Sequence, residues 1–130
     1  MAIPGASDGQ EVIRRGTIHA QDHDWTSFDF TGGLSTKGDE TDTVATNHII
    51  TVLSISWCEQ GNAAELIKMS FEGPSGTPYI QVLNNQPLAA YGTYIWNEKI
   101  VLITGDSLKT ALATAGNVDV YYTYLDQDWS

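Results

Sequence analysis

The chain has 130 residues, with 16 acidic against 6 basic side chains and a formal net charge of −10. That length is the size of one domain, able to bury roughly two-thirds of its unfolded surface without an accessory staple. The negative charge repels phosphate backbones and anionic bilayers, which argues against direct nucleic-acid or membrane binding. Cys58 is the single cysteine, so no intramolecular disulfide can form, and its place at the end of an apolar run predicts a small buried hydrophobe. The N-terminus lacks a charged-then-apolar leader, and no apolar run approaches the roughly 20 residues of a spanning helix. The expectation is a soluble chain made in a cytoplasm.

Met1 to Gln10 carry Pro4, Gly5 and Gly9 with almost nothing to bury, so residues 1–10 read as an extended arm before a single domain over 11–130. The simpler expectation is a floppy end, and the alternative is an arm that orders only against a neighbouring subunit. Glu11 to Ala20 offers Val12, Ile13 and Ile18 around Gly16, a first strand with a bulge expected at the glycine. Trp25 to Phe30 reads as a short second strand, and Thr31 to Thr43 as a long polar loop. His48 to Cys58 is a central strand. Its alternation assigns Ile49, Thr51, Leu53, Ile55 and Trp57 to the interior. Gln60-Gly61-Asn62 turns the chain, and Glu65 to Phe71 returns it with Ile67, Met69 and Phe71 on one side. A helix there would be about seven residues between Gly61 and Gly73-Pro74, too short to be stable.

Pro74 to Pro78 is a turn, Tyr79 to Leu83 a strand, Asn84 to Pro87 a break, and Tyr91 to Trp96 a further strand. The closing stretch has apolar runs at 100–103, 108–112 and 118–125, separated by Thr104-Gly105-Asp106 and Ala115-Gly116-Asn117. Glycine beside Asp or Asn tolerates the backbone of a tight turn, so these runs read as a three-stranded antiparallel meander. In the last run Val118, Val120, Tyr122 and Tyr124 share the face expected in the core. The whole pattern predicts an all-β fold: an antiparallel β-sandwich, jelly-roll-like, of about eight strands.

Chemistry is sparsely signalled. His19, Asp22, His23 and Asp24 put two imidazoles and two carboxylates within six residues, and His48 could join them, but the spacing matches no known metal site. Ser75 lies in Gly-Pro-Ser-Gly, without the spacing of a nucleophile elbow, and Asp39, Glu40 and Asp42 sit in a loop without an apolar wall. The reading is therefore no catalytic residues, no metal and no cofactor. Trp25, Tyr91, Tyr94, Trp96, Tyr121, Tyr122, Tyr124 and Trp129 could instead supply a sugar-stacking platform, or alternation buries half of them and leaves the rest for subunit contacts.

The run EKIVLITGDSLK from Glu98 to Lys109, followed by Ala115-Gly116-Asn117-Val118-Asp119-Val120 and Tyr124-Leu125-Asp126, resembles small accessory structural proteins of tailed bacteriophages. The upstream order is similar, with a strand like His48 to Trp57, then Tyr79-Ile80 and Pro87-Leu88, so the resemblance covers roughly residues 46–128. It implies a non-enzymatic β-sandwich of the virion, assembled in the host cytoplasm, with capsid decoration ahead of a neck or tail position. The implied partners are other virion proteins and further copies of the chain, preferably as a trimer. The alternative is a carbohydrate-binding module for host-surface recognition. Ile3, Pro4, Arg14, Arg15, Tyr121 and Trp129 are the candidate contact residues.

Overall fold

The computed structural model describes residues 10–129. They form nine strands and one short 3-10 turn: β1 Gln10–Gln21, β2 Thr26–Ser27, β3 His48–Glu59, β4 Glu65–Glu72, β5 Tyr79–Leu88, β6 Thr93–Trp96, β7 Ile100–Ile103, β8 Ser107–Leu112 and β9 Val118–Asp128. Two sheets result. One has the order β1-β9-β3, with β6 and β7 both on the far side of β3, and the other runs β2-β8-β4-β5.

The pairings nest. β4 pairs with β5, β3 with β6 and β7, β2 with β8, and β1 with β9, all antiparallel. This is the double-sheet jelly-roll arrangement, so the expected fold class holds. β6 meets residues 55–58 of β3 and β7 meets residues 49–52, so the two lie in line as one interrupted strand and the sandwich has eight positions. Gln10, expected as the last residue of the arm, already pairs with Asp128 in β1; residues 1–9 of that expected arm lie outside the described residues.

The core forms where the inner faces meet. Trp57, Tyr122, Tyr124, Phe28, Ile18, Ile67, Met69 and Leu108 are fully buried, and Phe28 meets Tyr122 edge-on with ring centroids 4.8 Å apart. The polar tips of the buried aromatics find partners, which offsets the cost of taking them out of water. Trp57 Nε1 donates to Thr110 Oγ1 at 3.1 Å, while the Tyr122 hydroxyl donates to Asp29 O (2.8 Å) and accepts from Asp29 N (2.9 Å). Burial pushes the Tyr122 phenol well above its ordinary pKa.

Several local expectations are corrected. The runs at 100–103, 107–112 and 118–128 are strands, but they make no meander: β7 pairs with β3, β8 with β2 and β4, and β9 with β1 and β3. Gly105, at φ +86°, and Asp106, whose Oδ2 accepts from Ile103 N at 2.9 Å, do reverse the chain. The reversal carries it across the roughly 10 Å between layers instead of back along one sheet. In β3 the register slips between Val52 and Ser54, leaving Leu53 as an extra residue. That bulge changes the phase, so Ile50 and Val52 join Ile55 and Trp57 inside, and Ile49 and Thr51 face out.

Gly16 carries no bulge; the irregularity in β1 lies between Ile18 and Gln21. A Cβ at Gly16 would stand 2.2 Å from the Tyr122 ring, so its glycine is required by close packing. The expected break at 84–87 is a bulge within β5, where Asn85 adopts φ +60° and Pro87 is tolerated because β5 is an edge strand. The second strand contracts to Thr26–Ser27, with Phe28 and Phe30 turned into the core beyond it.

Candidate functional site

The outward face of the β1-β9-β3 sheet is the main candidate surface. Register places Ile13, Leu125, Thr51 and Val101 in one row across four strands, and Gln127, Ile49 and Ile103 in the next. A further row holds Thr17, Tyr121, Ser56 and Ile95. Ile13, Ile95, Val101, Ile103 and Tyr121 are all substantially exposed. Single exposed apolar residues are ordinary, but here the ladder holds several of them on one rigid face.

At the β1 margin of this face Val12, Ile13, Arg14, Arg15, Gly32, Tyr121 and Thr123 line an open groove of about 440 Å³. Three of the contact residues expected from sequence, Arg14, Arg15 and Tyr121, thus come together. Arg15 projects outward, whereas Arg14 turns back and its Nε donates to Asp126 Oδ2 at 3.2 Å. Asp126 also meets His48, with 2.7 Å between Oδ1 and Nδ1, so Arg14 and His48 fasten one buried carboxylate at the end of the sandwich. Trp129 is exposed but lies eight residues along the chain from Tyr121, about 26 Å at the rise of a strand, so it does not join the groove. Ile3 and Pro4 lie outside the described residues.

The polar run separates. His19 Nδ1 lies 3.0 Å from Asp119 Oδ1, while Asp22, His23 and Asp24 keep ligand atoms within 4.8 Å of one another. Asp22 accepts from Asp24 N at 2.9 Å and pairs with Lys37 Nζ at 3.0 Å. The Asp24 backbone donor, then Lys37, hold its carboxyl below the ordinary range against opposing desolvation. Asp22 is thus engaged within the turn, His23 and Asp24 are exposed with 3.6 Å between Nε2 and Oδ1, and His48 is engaged with Asp126.

Two arrangements were not legible in sequence. Cys58 is half-buried on the outer face instead of lying in the core, and shares a groove of about 350 Å³ with His19 and Asp119. These residues belong to adjacent strands and form no relay: the imidazole meets Asp119, while the thiol accepts from Gln60 Nε2 at 3.3 Å. On the opposite sheet Trp25 and Tyr79 flank a cleft of about 190 Å³ with Glu40, Ser70, Glu72 and Lys109. Lys109 Nζ lies 3.1 Å from Glu72 Oε2 and 3.5 Å from Glu40 Oε1. The aromatics expected to form one platform are otherwise dispersed, with Tyr122 and Tyr124 inside the core.

No family model and no curated protein matches the chain. Among solved structures it is similar to the Drosophila NLP core, described for pentamer formation and histone binding, at 10% identity and a TM-score of 0.44 over 90% of this chain and 96% of that one. It is also similar to the Gx strain structure of infectious bursal disease virus, at 11% identity and a TM-score of 0.45 over 96% of this chain and 34% of that one. The T13 particle of the same virus matches at 8% identity and a TM-score of 0.43, over 95% of this chain and 36% of that one. The chain therefore spans about a third of those viral chains. Likeness at this level carries no functional weight.

Proposed function

We propose that the chain is a non-enzymatic structural protein of a bacteriophage virion, a capsid decoration subunit that binds other virion proteins and stabilises the particle. The observation that carries this reading is the outward face of the β1-β9-β3 sheet, where Ile95, Val101 and Ile103 stand exposed beside half-buried Ile49 on a hydrogen-bonded ladder. Apolar side chains fixed on a rigid face suit burial against another subunit. The resemblance over residues 46–128 assigns the same role, and the net charge of −10 favours protein partners over nucleic acid or anionic membrane.

The test is to mix purified protein with undecorated capsids and, separately, with tails, and to image what is coated. A regular coat on capsids is expected, lost in Val101→Glu and Ile103→Glu variants that keep the wild-type circular dichroism. A coat on tails alone would move the protein to the neck or tail, and binding to neither would overturn the reading.

A second reading rests on the Trp25–Tyr79 cleft, whose aromatic walls and ringed polar groups suit a sugar. Glycan-array binding abolished by Trp25→Ala and Tyr79→Ala would favour it.

A further inference from the structure

β1 is an edge strand of its sheet, paired with β9 alone among the strands. Among the described residues, the backbone contact on its other side lies towards its C-terminal end, where Ser35 N donates to Thr17 O at 3.0 Å beside the bridge between Ile18 and Ser35. The Thr17 carbonyl therefore points away from β9. Backbone groups alternate in direction along a strand, and the β1–β9 register is unbroken from Gln10 to Ile18. It follows that the N–H and C=O groups of Glu11, Ile13 and Arg15 also point away from β9. Their side chains share the outward face, and Ile13 is 71% exposed.

That spacing is self-complementary. When two copies of β1 run antiparallel about a two-fold axis at Ile13, Ile13 meets Ile13, and Glu11 of each copy faces Arg15 of the other. All three positions carry outward backbone groups, so each facing pair exchanges hydrogen bonds, six in all by the geometry of an antiparallel ladder. Among the described residues Arg15 has no ion pair within its own chain. In a chain of net charge −10, one of its two arginines is thereby placed opposite an acidic residue of its own strand. The groove lined by Ile13, Arg15, Tyr121 and Thr123 lies open along this same edge.

We propose that the β1 edge is a homodimer interface, in which a second copy adds its own β1 antiparallel across Ile13 and joins two β1-β9-β3 sheets into one continuous sheet. This is strand addition with charge-set register, the isologous form of contact for a two-fold pair. It is independent of the virion reading, since such a dimer could serve any role.

Sedimentation equilibrium of the full chain tests it. The wild type should show a species of twice the 14.2 kDa chain mass. Glu11→Arg alone and Arg15→Glu alone each create like-charge pairs and should weaken association by roughly tenfold or more. An equimolar mixture of the two variants restores opposite charges at both positions, and should regain dimer as heterodimer; so should the double variant with itself. Ile13→Pro removes an outward N–H without breaking the β1–β9 ladder, and should yield a folded monomer. A wild type that stays monomeric would overturn the proposal. So would a dimer unaffected by Ile13→Pro, or one that the charge mixture does not rescue.

Discussion

Tyr122 shows how one side chain ties two neighbouring strands, β1 and β9, to a loop. Its ring lies over Gly16, and its hydroxyl satisfies both backbone groups of Asp29 as well as approaching Ser35 Oγ at 2.7 Å. Tyr122→Phe should therefore leave Asp29 N and O without this partner in a buried setting, at a cost of about 1–3 kcal/mol measured by urea unfolding. Gly16→Ala drives a methyl into the ring and should cost a similar ~1–3 kcal/mol, with the loss removed when Tyr122→Leu makes room. Glu59 ends β3 by fastening two turns: Oε1 accepts from Gly61 N (2.6 Å) and Ala63 N (3.2 Å), and Oε2 from Tyr91 N (2.7 Å). Burial acts to raise its pKa, but the donors Tyr91, Ala63, Gly61 and Asn62 outweigh it and hold the group below its ordinary 4.5. A depressed carboxylate stabilises fully above its unfolded value, and that contribution fades as pH falls through the folded value. Glu59→Gln should thus lower Tm most at neutral pH, with the gap to wild type closing below 4.5 in a pH series of thermal melts.

Among the elements, β3 departs most from simple alternation. Its two halves are each strictly alternating, so the pattern looked continuous, but Leu53 separates them by one residue and reverses which set faces inward. The gap between β6 and β7, residues 97–99, lies opposite this bulge, so the interrupted strand and the bulge occur together. Deleting Leu53 leaves Ile50, Val52, Ile55 and Trp57 in phase, and the chain should fold with a modest loss of about 1–3 kcal/mol. Deleting Ser56 instead swings Trp57 out of the core, and should cost more than the ~3–5 kcal/mol of a large core truncation. Tryptophan emission, blue-shifted in the first variant and red-shifted in the second, distinguishes them.

At the scale of the whole molecule the nested pairing makes the last strand a keystone, since β9 lies between β1 and β3 and joins them. A chain ending before Val118 should lack cooperative unfolding and near-ultraviolet dichroism, because both neighbours of β9 lose their ladder and the core loses Tyr122 and Tyr124. By itself the sequence determined the class of the fold, the strand positions from Ile100 onward and the inward face of β9, because period-two burial and Gly-Asp or Gly-Asn turns are local signals. It also singled out Arg14, Arg15 and Tyr121, the chain's rare cations and one of its aromatics, without a reason for their meeting. Which strands pair was decided only by tertiary structure. The same turn can close a hairpin or carry the chain between layers, and only burial of both inner faces selects the second. The same holds for the outer surface: the edge at Ile13, the Trp25–Tyr79 cleft and the row from Ile13 to Val101 join residues far apart in the chain, and long-range register, which no local pattern encodes, brings them together.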